Sequence, residues 1–279
     1  MHRQHLNSVL FLAVSLSGAL FAQTAKPADN EKINAENAAI EKAFNDGNAA
    51  FSKKDYDGAI AIYDAAIKAD PTHPGVTSLL VNKASAQLQR GIEIYNASIA
   101  AKDNGMRERG KQYFRDAADS SEKAVALAKS LNLTPQQLYP ILVTRKGVMR
   151  FAATKAEPDR MDAAVAAYND YLAVETDPAK KVQAHLEMGQ MLIDSGQGAA
   201  AEHEYETVLA SSPKNSDAVF GLGNSLFLIA SEHDDKVALQ KAANAFKTFL
   251  SLAPANDARR GDATMMLDNL KLMFGVVPK

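Results

Sequence analysis

The histidines are the main candidates in this chain for a metal or catalytic site. His185 has Glu187 two residues later, and His203 stands in the run Glu202-His203-Glu204. A zinc site needs three or four ligands that converge on one point. No histidine pair has the i, i+4 spacing that would place both rings on one helix face. The pattern favours isolated, solvent-exposed histidines, and we predict no metal, no cofactor, no catalytic residue and no enzyme activity.

Glycine and charge patterns elsewhere do not complete a binding motif either. Gly221-Leu222-Gly223 lies inside a helical pattern, follows no strand and lacks the third glycine of a dinucleotide-binding loop. Basic residues between Arg107 and Arg115 are interleaved with acids. That mixture is more typical of a solvated helix face than of an anion site.

The composition excludes several classes of protein. The chain has no cysteine, which excludes disulfides, thiolate zinc sites, thiol nucleophiles and a lipid-modified cysteine. Its formal net charge is -2 at pH 7. A general nucleic-acid-binding domain would be strongly basic, so we predict no nucleic-acid partner. The same near-balance provides no broad attraction to anionic membranes.

Residues 1–22 predict a secretory signal peptide. Arg3 precedes the apolar run Val9–Leu20, and Ala22 is a small residue suited to the position before a cleavage site. The run is shorter than the roughly 20 residues that cross a bilayer, which favours cleavage over retention as an anchor. Residues 23–35 are polar and predict a flexible leader. We therefore expect an exported protein, periplasmic or secreted, with no stable membrane span after cleavage.

The rest of the chain repeats a pattern of helix, turn, helix and stop. Residues 182–215 show it most clearly, with small residues at Gly189 and Ala201, a bulky Tyr205, and Pro213 at the end. Apolar residues return there at the period of an amphipathic helix, and proline cannot continue a helix. The same skeleton predicts helical hairpins at residues 40–73, 77–131, 134–175, 182–215 and 216–254, and a capping helix at 256–274 that completes a repeat domain over 36–279.

These hairpins resemble the tetratricopeptide repeat (TPR) family, whose period is 34 residues. In the first hairpin the resemblance rests on Gly47, Ala59 and Tyr63, and in the third on Gly147 and Tyr168. Glycine and alanine let two helix backbones approach, and aromatic rings fill the space to the next hairpin. The resemblance implies an all-α fold, a right-handed superhelical array of antiparallel helix hairpins with about five repeats and a C-terminal capping helix. An irregular all-α bundle is the alternative.

TPR stacks bind extended or helical peptides in a groove lined by the first helix of each repeat, so the resemblance implies a protein or peptide partner. Amide side chains could pair with the peptide backbone, and aromatic rings could hold its side chains. Alternatively, these aromatic residues form the core between helices, because a register error of one residue exchanges groove for core. The predicted groove residues are Phe44, Asn48, Phe51, Asn82, Ser85, Leu88, Thr144, Val148, Phe151, Leu186, Gln190, Ile193, Phe220, Asn224 and Phe227.

One TPR subtype grips peptide carboxylates with lysine, asparagine and arginine side chains at fixed repeat positions. Asn48, Asn82 and Arg145 fall at such positions, but Phe44 and Ile141 stand where the lysines would be. The loss of both lysines removes much of the charge complementarity. The sequence therefore argues against the carboxylate-binding subtype.

Two hypotheses about function follow from the resemblance. The chain is either an exported adaptor or scaffold that binds a protein or peptide in its groove, or a structural subunit. In the second case it self-associates, or docks to a cell-envelope assembly, through the lengthened second hairpin at residues 77–131. Neither hypothesis needs an active site.

Overall fold

The computed structural model describes residues 27–233 and 235–279, which consist of helices and short connections. Within these ranges there is no β-strand, and the predicted all-α repeat fold is confirmed. The predicted signal peptide at residues 1–22 lies outside the described residues. In the described ranges, no helix is long and apolar enough to cross a membrane.

The helices form consecutive pairs in two compact units, which meet in sequence at Val174 and Glu175. The first unit contains α1 (Pro27–Ser52), α2 (Tyr56–Ala69), α3 (Val76–Ala101), α4 (Asn104–Ser130), α5 (Pro135–Phe151) and α6 (Met161–Val174). The second contains α7 (Pro178–Asp194), α8 (Gly198–Ser211), α9 (Ser216–His233), α10 (Lys236–Leu252) and α11 (Arg259–Phe274).

Short polar side chains begin several of these helices. The Thr134 side chain accepts a hydrogen bond from the backbone N–H of Gln137, whose side chain in turn accepts one from the N–H of Thr134. This reciprocal cap pairs donors that the first turn of α5 would otherwise leave unpaired. Asp103 and Asp235 accept backbone bonds in the same way at the starts of α4 and α10. Local sequence therefore determines where these helices begin.

The start of α1 differs from the expectation. The described part of α1 starts at Pro27, so residues 27–35 are helical where the sequence predicts a flexible leader. Ile33 is half-buried while most of its neighbours are exposed. The polar composition of this stretch reflects its exposure and did not reveal that α1 runs through it.

The core of the hairpins depends on aromatic rings that lie against glycines. Tyr63 of α2 packs against Gly47 of α1, where an added Cβ would be 2.2 Å from the ring. Tyr205 of α8 packs against Gly189 of α7, where the corresponding distance is 2.8 Å. The same ring also meets Gly221 of α9, which joins one hairpin to the next. Phe114 on Gly91 and Phe246 on Gly223 repeat the arrangement.

The third hairpin departs from this rule. A Cβ at Gly147 would meet nothing within 4 Å, so this glycine does not make the close contact that the resemblance implies. Tyr168 is nevertheless fully buried, and the Nζ atom of Lys146 lies 5.3 Å from its ring centroid. Beyond α5 the chain forms one wide helical turn at Ala152–Ala156 and one tight turn at Pro158–Arg160 before α6 starts. This irregular connection replaces the tight turn of the other hairpins.

We expect the substitution Gly221→Ala to destabilise the second unit by about 1–3 kcal/mol, because a new Cβ would lie 2.2 Å from the ring of buried Tyr205. Gly261→Ala is the matched control, since a Cβ at Gly261 in α11 meets nothing within 4 Å. The control should be neutral or up to about 1 kcal/mol stabilising, because alanine favours helix. Urea unfolding followed by circular dichroism measures both. Equal midpoints for the two variants would contradict the packing rule.

Candidate functional site

The second unit carries the predicted groove residues of the fourth and fifth hairpins on two helices, α7 and α9. Helices α7 and α9, the first helices of these hairpins, contact each other directly. Their predicted residues are half-buried, except for Gln190, which is exposed, so all of them keep surface that a ligand could reach. We call this surface the α7–α9 face; it consists of Leu186, Gln190, Ile193, Phe220, Asn224 and Phe227.

Apolar and amide side chains are mixed on the α7–α9 face. Leu186 and Ile193 flank Gln190 along α7, and Phe227 lies about one turn from Asn224 on α9. The Nε2 atom of Gln190 donates a hydrogen bond to the carboxylate of Asp194 at 2.8 Å. The face therefore offers apolar contacts beside polar groups that can exchange hydrogen bonds.

A cation holds the Phe220 end of the face in place. The Arg259 guanidinium lies 5.5 Å from the ring centroid of Phe220 and 5.3 Å from that of Phe249. It also pairs with Asp217 at 2.7 Å and with Asp257 at 2.6 Å. The hydrogen bond from Arg259 keeps the pKa of the Asp257 carboxyl below its ordinary value. Phe220 is thus fixed by stacking, while the other apolar residues of the face lie beyond this ion-pair group.

In the first unit, many predicted groove residues lie in the core. Buried side chains offer almost no surface to a ligand. For the buried residues, the alternative that they form the core between helices therefore applies. The ring of Phe151, for example, lies 5.5 Å from that of Phe114. The buried residues are Phe44, Asn82, Leu88, Val148 and Phe151, whereas Asn48, Phe51, Ser85 and Thr144 are half-buried.

Asn48 and Asn82 belong to a hydrogen-bonded network that links the first two hairpins. The hydroxyl of Tyr63 donates to Oδ1 of Asn48 at 2.7 Å, and Nδ2 of Asn82 donates to the same oxygen at 2.9 Å. Burial raises the pKa of Tyr63, so its hydroxyl stays protonated and can donate. Oδ1 of Asn82 is buried and has no hydrogen-bond partner among the described residues. The asparagine pair therefore holds hairpins together instead of lining an open groove.

Arg145 also connects helices instead of facing an open groove. Its side chain is only 10% exposed and contacts Glu122 at 2.7 Å and Asp170 at 2.6 Å. Two carboxylates compensate one buried guanidinium, as a buried charge requires. This arginine is not available to a peptide carboxylate, which agrees with the sequence argument against the carboxylate-binding subtype.

The described side chains of His73, His185 and His203 belong to no common metal-binding group. Nδ1 of His185 lies 2.7 Å from a carboxylate oxygen of Glu204, while His203 is exposed on α8. Buried His73 contacts Oδ1 of Asn37 and accepts a hydrogen bond from the N–H of Gly75. In the part of the chain that the structure describes, no group of three or more histidines and acids could hold a metal ion.

The predicted groove residues do not include a row of polar side chains on α10. Gln240, Asn244 and Lys247 make hydrogen bonds to the backbone of residues 277–279. Their i, i+4, i+7 spacing places them on one helix face, and this spacing was the only sequence signal for the row. The predicted groove contains only residues of the first helix of each hairpin. Because α10 is a second helix, this row lies outside the prediction.

A family model described as tetratricopeptide repeat matches this chain at residues 43–74 and 186–257. The matched ranges contain most of the α1–α2 hairpin, about the second half of α7 and all of α8, α9 and α10, including all six residues of the α7–α9 face. No curated protein sequence matches the chain.

Three solved structures are similar to this chain at low sequence identity. YrrB, described as a TPR protein with an unusual peptide-binding site, is 16% identical, with a TM-score of 0.51 over 85% of this chain and 98% of YrrB. MamA protein is 18% identical, with a TM-score of 0.47 over 80% of this chain and 94% of MamA. PilW, a type IV pilus biogenesis factor, is 21% identical, with a TM-score of 0.45 over 86% of both chains. At such identities the likeness to YrrB concerns the fold alone.

We expect Asn48→Ala to destabilise the first unit by about 1–3 kcal/mol, because the Tyr63 hydroxyl and the Asn82 amide would lose their shared acceptor. Asn45→Ala is the matched control, since Asn45 is exposed on the same helix, and it should change stability by less than about 0.5 kcal/mol. Urea unfolding of both variants measures the difference. A loss of the same size in both variants would show that the network contributes nothing.

Proposed function

This chain is a tetratricopeptide repeat protein, and we propose that it is a non-enzymatic scaffold that binds an extended peptide segment of a partner protein along its α7–α9 face. One observation carries the proposal. The first helices of two neighbouring repeats carry accessible apolar side chains and accessible amides, and none of their six predicted groove residues is buried, whereas five of the nine predicted groove residues of the first unit are buried.

The chemistry of the face suits a peptide in extended conformation. A helix uses its own backbone groups internally, so side chains must supply the hydrogen bonds to a bound peptide. Gln190 and Asn224 can do so, because each amide has both donors and an acceptor. Leu186 and Ile193 are seven residues apart, which corresponds to about 10 Å along α7. That length accommodates about three extended peptide residues.

Charge around the face indicates the kind of peptide. The carboxylates of Asp194 and Asp217 border it, and Asp194 is exposed. An acidic peptide would meet like charges there, which disfavours its binding. We therefore propose a neutral or basic segment with apolar side chains. The peptide-binding site named in the description of YrrB supports the proposal, because it belongs to a chain of the same fold.

The alternative, self-association through the second hairpin, receives less support. Helices α3 and α4 pack most of their large apolar residues within the first unit. Along these two helices, Ile99 is the one large apolar side chain with a clearly exposed surface among the described residues. A stable interface needs a larger apolar core than a single residue provides.

Export forms a second part of the proposal, and it rests on the signal-peptide pattern of residues 1–22. We expect the chain to act in the periplasm or outside the cell. Expression of the whole chain with fractionation and mass spectrometry tests this expectation. The exported product should begin at Gln23, and a cytoplasmic product that retains Met1 would refute export.

The binding face is tested by the double variant Ile193→Glu with Phe227→Glu, which places charges on its apolar part. We expect peptides selected on the wild-type chain from a random library to bind this variant at least about tenfold more weakly, since truncated interface anchors cost more than about 1 kcal/mol each. Fluorescence anisotropy with purified chains provides the dissociation constants.

The matched control is Ala199→Glu with Ala210→Glu, which adds the same charge at exposed positions of α8. Circular dichroism must show that both double variants keep their helix content. Selection of no peptide above background, or an equal loss of binding in both variants, would refute a peptide-binding role for the α7–α9 face.

A further inference from the structure

Residues 275–279 turn back from α11 and run along α10. Gly275 adopts the left-handed conformation with φ 66°, which glycine tolerates without steric cost. Its N–H donates to the carbonyl of Lys271, and the N–H of Val276 donates to the carbonyl of Leu270, both at 3.1 Å. This pattern closes the helix and reverses the chain direction. We call residues 275–279 the return segment.

Side chains of α10 bind the backbone of the return segment. Nε2 of Gln240 donates to the carbonyl of Val277 at 2.8 Å, and Oδ1 of Asn244 accepts from the N–H of Lys279 at 2.8 Å. Nζ of Lys247 donates to the carbonyl of Lys279 at 3.2 Å. We call these three side chains the α10 strip. Because all three contacts are to main-chain atoms, the strip can hold any segment with the same backbone path.

The side chains of the return segment alternate as in a β-strand. Val276 and Pro278 are half-buried, while Val277 and Lys279 are exposed. Val276 packs against the apolar core of the second unit. Main-chain hydrogen bonds with alternate side chains turned inward are the usual way in which proteins recognise extended peptides. The strip therefore binds an extended backbone in which alternate residues, Val276 and Pro278, are half-buried.

Large apolar side chains remain exposed at the end of α11 and in the return segment. In α11, Leu272 is 85% exposed, Met273 70% and Phe274 43%. Val277 of the return segment is 51% exposed, and Val237 at the start of α10 is 65% exposed. A helix that ends a repeat stack normally turns a polar face outward. The three consecutive exposed apolar residues at the end of α11 depart from that rule and favour an interaction surface there.

We propose that the α10 strip is a receptor site for an extended Val-x-Pro segment, and that in solution the return segment of a second copy occupies it by reciprocal exchange. The hydrogen bonds to the strip are the same within one copy and between two copies, so exchange sacrifices none of them. Gly275 is the hinge, since its backbone can open without a side-chain clash. Exchange also brings the ends of two α11 helices together, which covers Leu272, Met273 and Phe274.

This inference goes beyond the proposed peptide scaffold and does not depend on it. The α7–α9 face belongs to first helices of repeats, whereas the α10 strip belongs to a second helix. A pair of copies joined through the strip would present two α7–α9 faces and bind a partner with repeated segments more tightly.

Crosslinking of mixed copies tests the exchange directly, because the chain has no native cysteine. One full-length chain carries Val277→Cys and the other Val237→Cys, both at exposed positions beside the strip. A short bis-maleimide added to an equal mixture should join one copy of each kind. The control mixture of Val277→Cys with His203→Cys, an exposed residue of α8, should give no such product.

A chain that carries both Val237→Cys and Val277→Cys reports the contact within one copy. If it forms only an intrachain crosslink, and the mixed copies form none at any soluble concentration, the exchange is refuted. Equal crosslinking in the His203→Cys control would also refute it, because random collision would then explain the product.

Sedimentation velocity of the full chain provides an independent measurement. We expect a dimer that forms with rising concentration, and a dimer dissociation constant at least about tenfold higher for Leu272→Glu with Met273→Glu, because these exposed side chains become covered only in the pair, whereas the hydrogen bonds to the strip exist in both states. Ala199→Glu with Ala210→Glu adds the same charge at exposed positions of α8 and should leave the dimer intact. A chain that stays monomeric, or a dimer that both double variants weaken equally, would overturn the proposal.

Discussion

The contact between an aromatic ring on a second helix and a glycine on a first helix is the constraint on which this structure depends. The ring of Tyr205 occupies the space that side chains on Gly189 and Gly221 would otherwise need. Because these glycines belong to α7 and α9, a single side chain fixes both the closure of one hairpin and its distance from the next. A hairpin of this kind cannot bury its apolar face alone, so stability arises only when neighbours stack. The same rule acts through Tyr63 and Phe114 in the first unit.

The way in which each unit satisfies this constraint decides which surfaces remain open. In the first unit, aromatic rings of neighbouring helices pack against each other, as Phe114 does with Phe151. Predicted groove residues such as Leu88 and Val148 lie in the core there. The Asn48–Tyr63–Asn82 network then ties the first two hairpins with polar contacts whose loss would leave buried groups unpaired. In the second unit, the predicted groove residues of α7 and α9 are only partly buried or exposed. The same repeat pattern therefore yields a structural unit and a unit with an accessible face.

Both candidate surfaces of the second unit follow one physical rule. A helix has no free main-chain groups along its middle turns, so it can recognise a peptide backbone only through side chains. Amides suit this role because they donate and accept, and lysine adds a flexible donor. The α10 strip shows the rule in operation on the return segment, where Gln240, Asn244 and Lys247 bind main-chain atoms. Gln190 and Asn224 provide the same chemistry on the α7–α9 face.

The sequence by itself determined the helical hairpins, because their signals are local. A threonine cap at Thr134, a proline after α8 at Pro213 and apolar residues at the helical period depend only on nearby residues. It also identified Gly47 with Tyr63 and Gly189 with Tyr205, two of the glycine–ring contacts that close the hairpins. Apart from residues 27–35, where a helix replaces the expected leader, the predictions that failed or stayed open concern burial and not secondary structure. Periodicity identifies the apolar face of a helix but not what lies against it.

Only the tertiary structure decided which of the predicted groove residues lie in the core, because burial depends on partners far away in sequence. Asn82 meets Asn48 across 34 residues, and Tyr113 meets Asp57 across 56. The open surroundings of Gly147 and the path of the return segment are likewise set by distant helices. Gln240 and Asn244 resemble any other polar residues of a helix until the chain brings Val277 and Lys279 beside them. The repeat was therefore readable from short patterns, whereas the binding surfaces arise from contacts that no short pattern contains.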